Sequence, residues 1–91
     1  MEKYVIIGEY KDNKKIIFIS NTYPICWVNE DNLSKKYDRF YDAVHDILYE
    51  YNTYKTTILG TDINYISILN TNTREITPII NEKGEVLVED D

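Results

Sequence analysis

Only one window of this chain, Tyr37–Asn52, repeats its apolar residues at a helical period. At about 100° per residue, Phe40, Ala43, Val44, Ile47, Leu48 and Tyr51 fall on one arc, the core-facing stripe of an amphipathic helix. Elsewhere the residues favour extended backbone: Ile, Val, Thr, Tyr, Phe and Trp fill 39 of the 91 positions, and Ala43 is the only alanine. Side chains of that kind lose rotamer freedom in a helix and pack well on a pleated surface. The expected class is therefore α+β: an antiparallel sheet of about five to seven strands with one amphipathic helix packed on one face, in the order β-β-β-α-β-β-β.

The strands are placed by runs of these residues and the turn chemistry between them. Lys3–Tyr10 and Ile16–Ile19 flank the polar turn Lys11–Lys14, a hairpin signature, since Asp12 and Asn13 tolerate positive φ. The run Ile16–Ile19 is apolar without alternation, as in a strand buried on both faces. Ile25–Val28 is a short third strand. Asp38 is the expected N-cap of the helix, with Ser34 as the alternative one turn earlier, and the helix should end near Asn52. Thr53–Leu59, Ile63–Leu69, Glu75–Ile80 and Glu85–Val88 read as later strands, separated by turns at Gly60–Asp62, Asn70–Asn72 and Asn81–Gly84. Pro78 cannot donate to a ladder, so its strand is an edge or carries a bulge. A chain of this length makes one domain, 1–91, with a radius of gyration of about 12 Å, and its acidic end 89–91 is expected to be a flexible tail.

The formal net charge of -6 argues against direct binding to nucleic acid or anionic membrane, which requires patches of Lys and Arg. A lone cysteine, Cys26, leaves no intrachain disulfide and no cysteine-based zinc site. There is no leader pattern and no apolar run near 18 residues, so a reducing, cytoplasmic location is expected. Catalysis is not expected either. His45 is the only histidine, nothing local marks Ser20, Ser34 or Ser67 as a nucleophile, and Gly8, Gly60 and Gly84 are too far apart to cradle a phosphate. No cofactor and no metal site are expected.

The distribution of charge is more informative than its total. Residues 1–29 carry +1, 30–52 carry -3, 53–80 are neutral and 81–91 carry -4. Within the helix window Asp38, Asp42, Asp46 and Glu50 recur every fourth residue, a row about 18 Å long placed opposite the apolar arc, and Phe40–Asn52 contains no Lys or Arg. Like charges at that spacing destabilise a helix by roughly 0.2–0.5 kcal/mol per pair. An acidic chain with a surface helix acquires some such acids in any case, and Asp38 is accounted for as a cap. Beside the row, however, run Tyr41, His45 and Tyr49, and tyrosine next to charge is an interface composition. The expected partner-binding face is Tyr41, Asp42, His45, Asp46, Tyr49 and Glu50. As an imitation of phosphates the row is sparse: its acids recur about every 6 Å, whereas phosphates on one strand recur about every 3.4 Å.

An aromatic strand–turn–strand, the lone Trp27 in a short strand, and Lys35-Lys36-Tyr37-Asp38-Arg39-Phe40-Tyr41-Asp42-Ala43-Val44 opening a helix together resemble small orphan proteins of bacteriophages and mobile elements. Among these, acidic α+β members include anti-CRISPR and other anti-defence inhibitors. The resemblance spans residues 3–52 and implies a non-enzymatic inhibitor whose partner is a basic, nucleic-acid-binding host defence protein. It assigns no residue roles. The alternative from a different class is a structural module that self-associates into a homodimer or larger homo-oligomer through strand edges and tyrosines.

Overall fold

Two strands more than fifty residues apart meet at the centre of the sheet. The computed structural model of the protein describes residues 4–12, 16–19, 27–28, 32, 34–53 and 63–88. In chain order the elements are β1 (Tyr4–Tyr10), β2 (Ile16–Ile19), β3 (Trp27–Val28), α1 (Phe40–Thr53), β4 (Ile63–Asn70) and β5 (Ile76–Ile80). The strands pair antiparallel in the spatial order β3-β2-β1-β4-β5. One helix and an antiparallel sheet make the protein α+β, with a radius of gyration of 11.8 Å. Of the other strands expected, Thr53–Leu59 lies outside the described residues apart from Thr53, the last helical position. Glu85–Val88 supplies only an isolated bridge, Val86 opposite Ile80. The acidic tail 89–91 also lies outside the described residues.

Strand alternation divides the buried residues between two faces. From β1, Ile6 joins Ala43, Val44, Ile47, Leu48 and Tyr51 of the helix, Ile66 and Ile68 of β4, and Ile79 and Ile80 of β5 in the main core, while Val5, Ile7 and Leu69 form a second cluster. Ile63 belongs to the main core as well, although it stands three positions before Ile66 and a regular strand would turn the two to opposite faces. A bulge resolves this. Tyr10 pairs with Ile63 and Gly8 with Ile66, so Asn64 and Tyr65 together oppose the single residue Glu9. A second irregularity on β5, where Ile80 pairs with Ile66 and Pro78 with Ser67, brings both Ile79 and Ile80 into the core. Pro78 thus stands on an outer strand next to an irregularity, as its missing N–H requires.

The helix starts later than its apolar period suggests. Tyr37 is held extended by a pair of backbone bonds with Tyr4, 3.0 and 2.9 Å long, so the chain cannot turn helical until it has left that bridge. The first intrahelical bond runs from the Ala43 N–H to the Arg39 carbonyl at 3.4 Å. Arg39 is therefore the boundary residue, and Asp38, the expected cap, lies one position outside it. The ring of Phe40, the first helical residue, meets that of Tyr4 edge to face at 5.9 Å, fixing the helix to β1 where it begins.

Two turns close the β5 hairpin and its continuation. In the first, the Asn70 side-chain oxygen accepts from the N–H groups of Asn72 (3.0 Å) and Thr73 (3.2 Å), and Arg74 takes φ 66°. In the second, the Asn81 side-chain oxygen accepts from Lys83 and Glu85, both at 2.9 Å, and Gly84 takes φ 81°. The Tyr51 hydroxyl of the helix donates to the Gly84 carbonyl at 2.7 Å, which fastens this turn to the last turn of α1.

These conformations predict opposite responses to substitution. Arg74→Gly relieves about 1–2 kcal/mol of left-handed strain against about 0.5–1 kcal/mol of added unfolded-state entropy, so its Tm should rise by a few degrees. Gly84→Ala adds the same strain, and its Cβ would lie 2.8 Å from the Tyr51 hydroxyl; urea titration should show a loss of about 1–2 kcal/mol or more.

Candidate protein-binding face of the helix

A step of four residues advances about 40° around a helix, so residues spaced in this way wind around it rather than forming a straight stripe. Asp42 lies almost opposite the apolar arc. By Asp46 the row has turned towards the side where residues 34–37 pack, and Glu50 approaches the edge of the core. The burial follows: Asp42 is exposed, whereas Asp46 and Glu50 are half-buried. The expectation of one acidic row opposite the core is corrected accordingly.

Asp46 is also engaged within the chain. Its Oδ2 accepts from the Lys35 ammonium at 2.9 Å and from the Tyr37 hydroxyl at 2.8 Å, and the Lys35 ammonium lies 5.1 Å from the centre of the Tyr37 ring. This carboxylate therefore anchors residues 35–37 to the helix. A lysine missing from the helix itself is supplied by the segment before it, a neutralisation that no helical spacing rule could locate. Burial, followed by the bond to Asp46 and the charges of Asp46 and Glu50, raises the Tyr37 hydroxyl far above the ordinary phenol range.

The tyrosine row winds the other way with respect to solvent, from the flank of the core arc towards the outer pole. Tyr41 is 48% and Tyr49 61% exposed, and His45 between them is exposed too. Tyr41 is not a loose ring: it meets Phe40 edge to face at 5.1 Å, and Phe40 in turn meets Tyr4. Of the six expected contact residues, Tyr41, Asp42, His45 and Tyr49 lie together on the outer surface. Asp46 and Glu50 form its shoulder above Tyr37. The helix carries no basic residue in its last turn, and the Tyr51–Gly84 bond places Glu82 and Glu85, both exposed, in the turn fastened to that end. Glu82 and Glu85 of the second acidic stretch are thereby brought next to the end of the helix.

Among the described residues no helix is long and apolar enough to cross a membrane, and no three His, Cys, Asp or Glu side chains gather in a way that could hold a metal ion. Cys26 and Ser20 lie outside the described residues. Ser34 is buried and accepts from the Lys36 ammonium at 2.6 Å. Ser67, buried in β4, does not meet His45 of the helix, for it faces the opposite side of the sheet. No family model, no curated protein and no solved structure matches the chain.

The raised Tyr37 hydroxyl has a defined consequence for stability. The fold favours its protonated form, so the stability it supplies is complete below the ordinary phenol pKa of 10.0 and is lost as pH rises above it, where the unfolded chain ionises and the folded chain does not. Ultraviolet titration of the tyrosines should show a late component that appears only as the protein unfolds. Tyr37→Phe should remove that component and lower stability at neutral pH by about 1 kcal/mol.

Proposed function

We propose that this is a non-enzymatic binding protein that occupies a basic, nucleic-acid-binding surface of another protein, acting as an inhibitor of the anti-defence type carried by phages and mobile elements. The observation that carries the reading is the outer surface of α1, where two exposed tyrosines, Tyr41 and Tyr49, flank exposed Asp42 on a helix free of Lys and Arg. Negative charge speeds encounter with a cationic groove, and burial of aromatic rings slows release. Because Phe40 already holds the Tyr41 ring, less side-chain freedom is lost on docking. The winding of the acids argues against a copy of phosphate spacing. Competition would instead rest on bulk charge and on the area covered.

The test uses immobilised protein to capture partners from a bacterial lysate, with elution by increasing salt. Release at modest ionic strength is expected. The captured protein should bind a labelled oligonucleotide, and adding this chain should displace it. Asp42→Lys should weaken capture about tenfold or more, and Tyr49→Ser should mainly speed dissociation. Asp46 is unsuited to the test because its loss would disturb the anchor to Tyr37. Unchanged capture by both variants would refute the proposal.

A second reading is supported by the outer margin of the sheet. Ile76, Val86 and Leu87 are about half exposed beside β5, an apolar margin on which two copies could associate. Light scattering over a concentration series distinguishes the readings: a stable dimer favours self-association, and a monomer that grows only with a basic partner favours the inhibitor.

A further inference from the structure

On the face of the sheet away from the helix, β4 and β5 bound a cavity of about 280 Å³, lined by Tyr65, Ser67, Ile76, Pro78, Asn81 and Glu82. The register explains its composition. Ser67 pairs with Pro78 and Leu69 with Ile76, so an outer strand with a proline and an exposed isoleucine forms an apolar wall, and the Asn81–Gly84 turn closes one end. The cavity is smaller than the roughly 300–1,000 Å³ of drug-sized ligand sites. It has room for a single long side chain.

Its described polar groups are few, and the charged one among them is a carboxylate. Ser67 is fully buried, and its hydroxyl has no hydrogen-bond partner among the described residues. Such a group is uncommon in native proteins, and its desolvation is unfavourable unless something hydrogen-bonds to it. Asn81 is engaged by its own turn, one amide N–H donating to the Glu85 carboxylate at 2.9 Å and its oxygen accepting from the backbone N–H groups of Lys83 and Glu85. Glu82 has no ion pair among the described residues. Beside the cavity, the Tyr65 hydroxyl donates to Glu9 Oε2 at 2.7 Å, so a second carboxylate stands next to the site with one oxygen already engaged. None of the described lining residues is basic.

We propose that this cavity receives a lysine side chain of a partner protein, its methylene stem against Ile76 and Pro78 and its ammonium donating to Ser67 Oγ and the Glu82 carboxylate. The complementarity is of shape and charge together. A lysine combines an apolar stem with a compact cation whose three donors are free to turn towards separate acceptors. An arginine suits the site less well, because the donors of its rigid planar fork cannot turn independently towards Ser67 Oγ and the Glu82 carboxylate. The proposal does not rest on the helix surface: it concerns the opposite side of the sheet, and Ser67, Ile76 and Pro78 take no part in that surface.

The test is an amide-resolved NMR titration of the whole chain with N-acetyl-lysine-N-methylamide. Matched titrations use the norleucine analogue, which keeps the stem and lacks the cation, and the arginine analogue. Expected are saturable shifts centred on Ser67, Thr77 and Glu82, with norleucine and arginine both weaker, norleucine about tenfold or more. Glu82→Gln, an exposed substitution, should weaken lysine binding about tenfold without changing Tm. Ser67→Ala should weaken it severalfold while leaving Tm unchanged or higher, since it removes an unpartnered buried hydroxyl. No saturable shift at these amides, equal binding of the norleucine or arginine analogue, or lysine binding unaltered by Glu82→Gln would each overturn the assignment.

Discussion

The antiparallel pairing of β1 with β4 is the contact on which the other elements depend. It joins residues 4–10 to residues 63–70 and divides the sheet into a helix-facing side and a far side. β2 can only pair outward from β1, and β5 outward from β4. The helix is held to the same pair through Ile6, Ile66 and Ile68, and through the bridge that locks Tyr37 to Tyr4. Even the bulge opposite Glu9 belongs to this ladder. It lets β4 present Ile63 and Ile66 to one core while Tyr65 and Ser67 remain on the other side.

How much of this was legible in the sequence depends on the range of the interaction involved. The helix was legible because its period lies within the window itself, and Pro78 announced an outer strand because it lacks a donor wherever it stands. The turns at Asn70 and Asn81 were legible for the same local reason. The bulges were not, because a two-residue period read along β4 alone cannot show that Asn64 and Tyr65 share a partner on a strand fifty residues earlier. The late start of the helix was hidden likewise, since a bond from Tyr4 holds Tyr37 out of it. In the candidate surface, the exposed positions Tyr41, Asp42 and Tyr49 followed from helical geometry. The engagement of Asp46 did not, because it requires Lys35 and Tyr37 to fold back across the helix.

Asp46 also changes the meaning of the acidic row. A carboxylate that accepts from an ammonium and a buried phenol contributes little field to solvent, so the outward charge of the helix is concentrated near Asp42 rather than spread along its length. The turn carrying Glu82 and Glu85 makes up part of the difference at the other end. The hydroxyl of Tyr51 thereby joins the helix to Glu82 and Glu85, acids some thirty residues further along the sequence, and it does so through one bond to the Gly84 carbonyl.

The pairing of β1 with β4 bears finally on how the protein is made. A ribosome adding about 5–20 residues per second needs roughly 3–12 s to pass from the end of β1 to the end of β4, some sixty residues later. Throughout that interval no β4 exists to pair with the strand of Val5, Ile6 and Ile7, and β2 can shield only one edge of it. The nascent chain is therefore exposed to wrong strand partners before it can bury its apolar residues. Folding efficiency in the cell should depend on translation speed between these two strands, and synonymous codon changes there would alter yield without altering a single side chain.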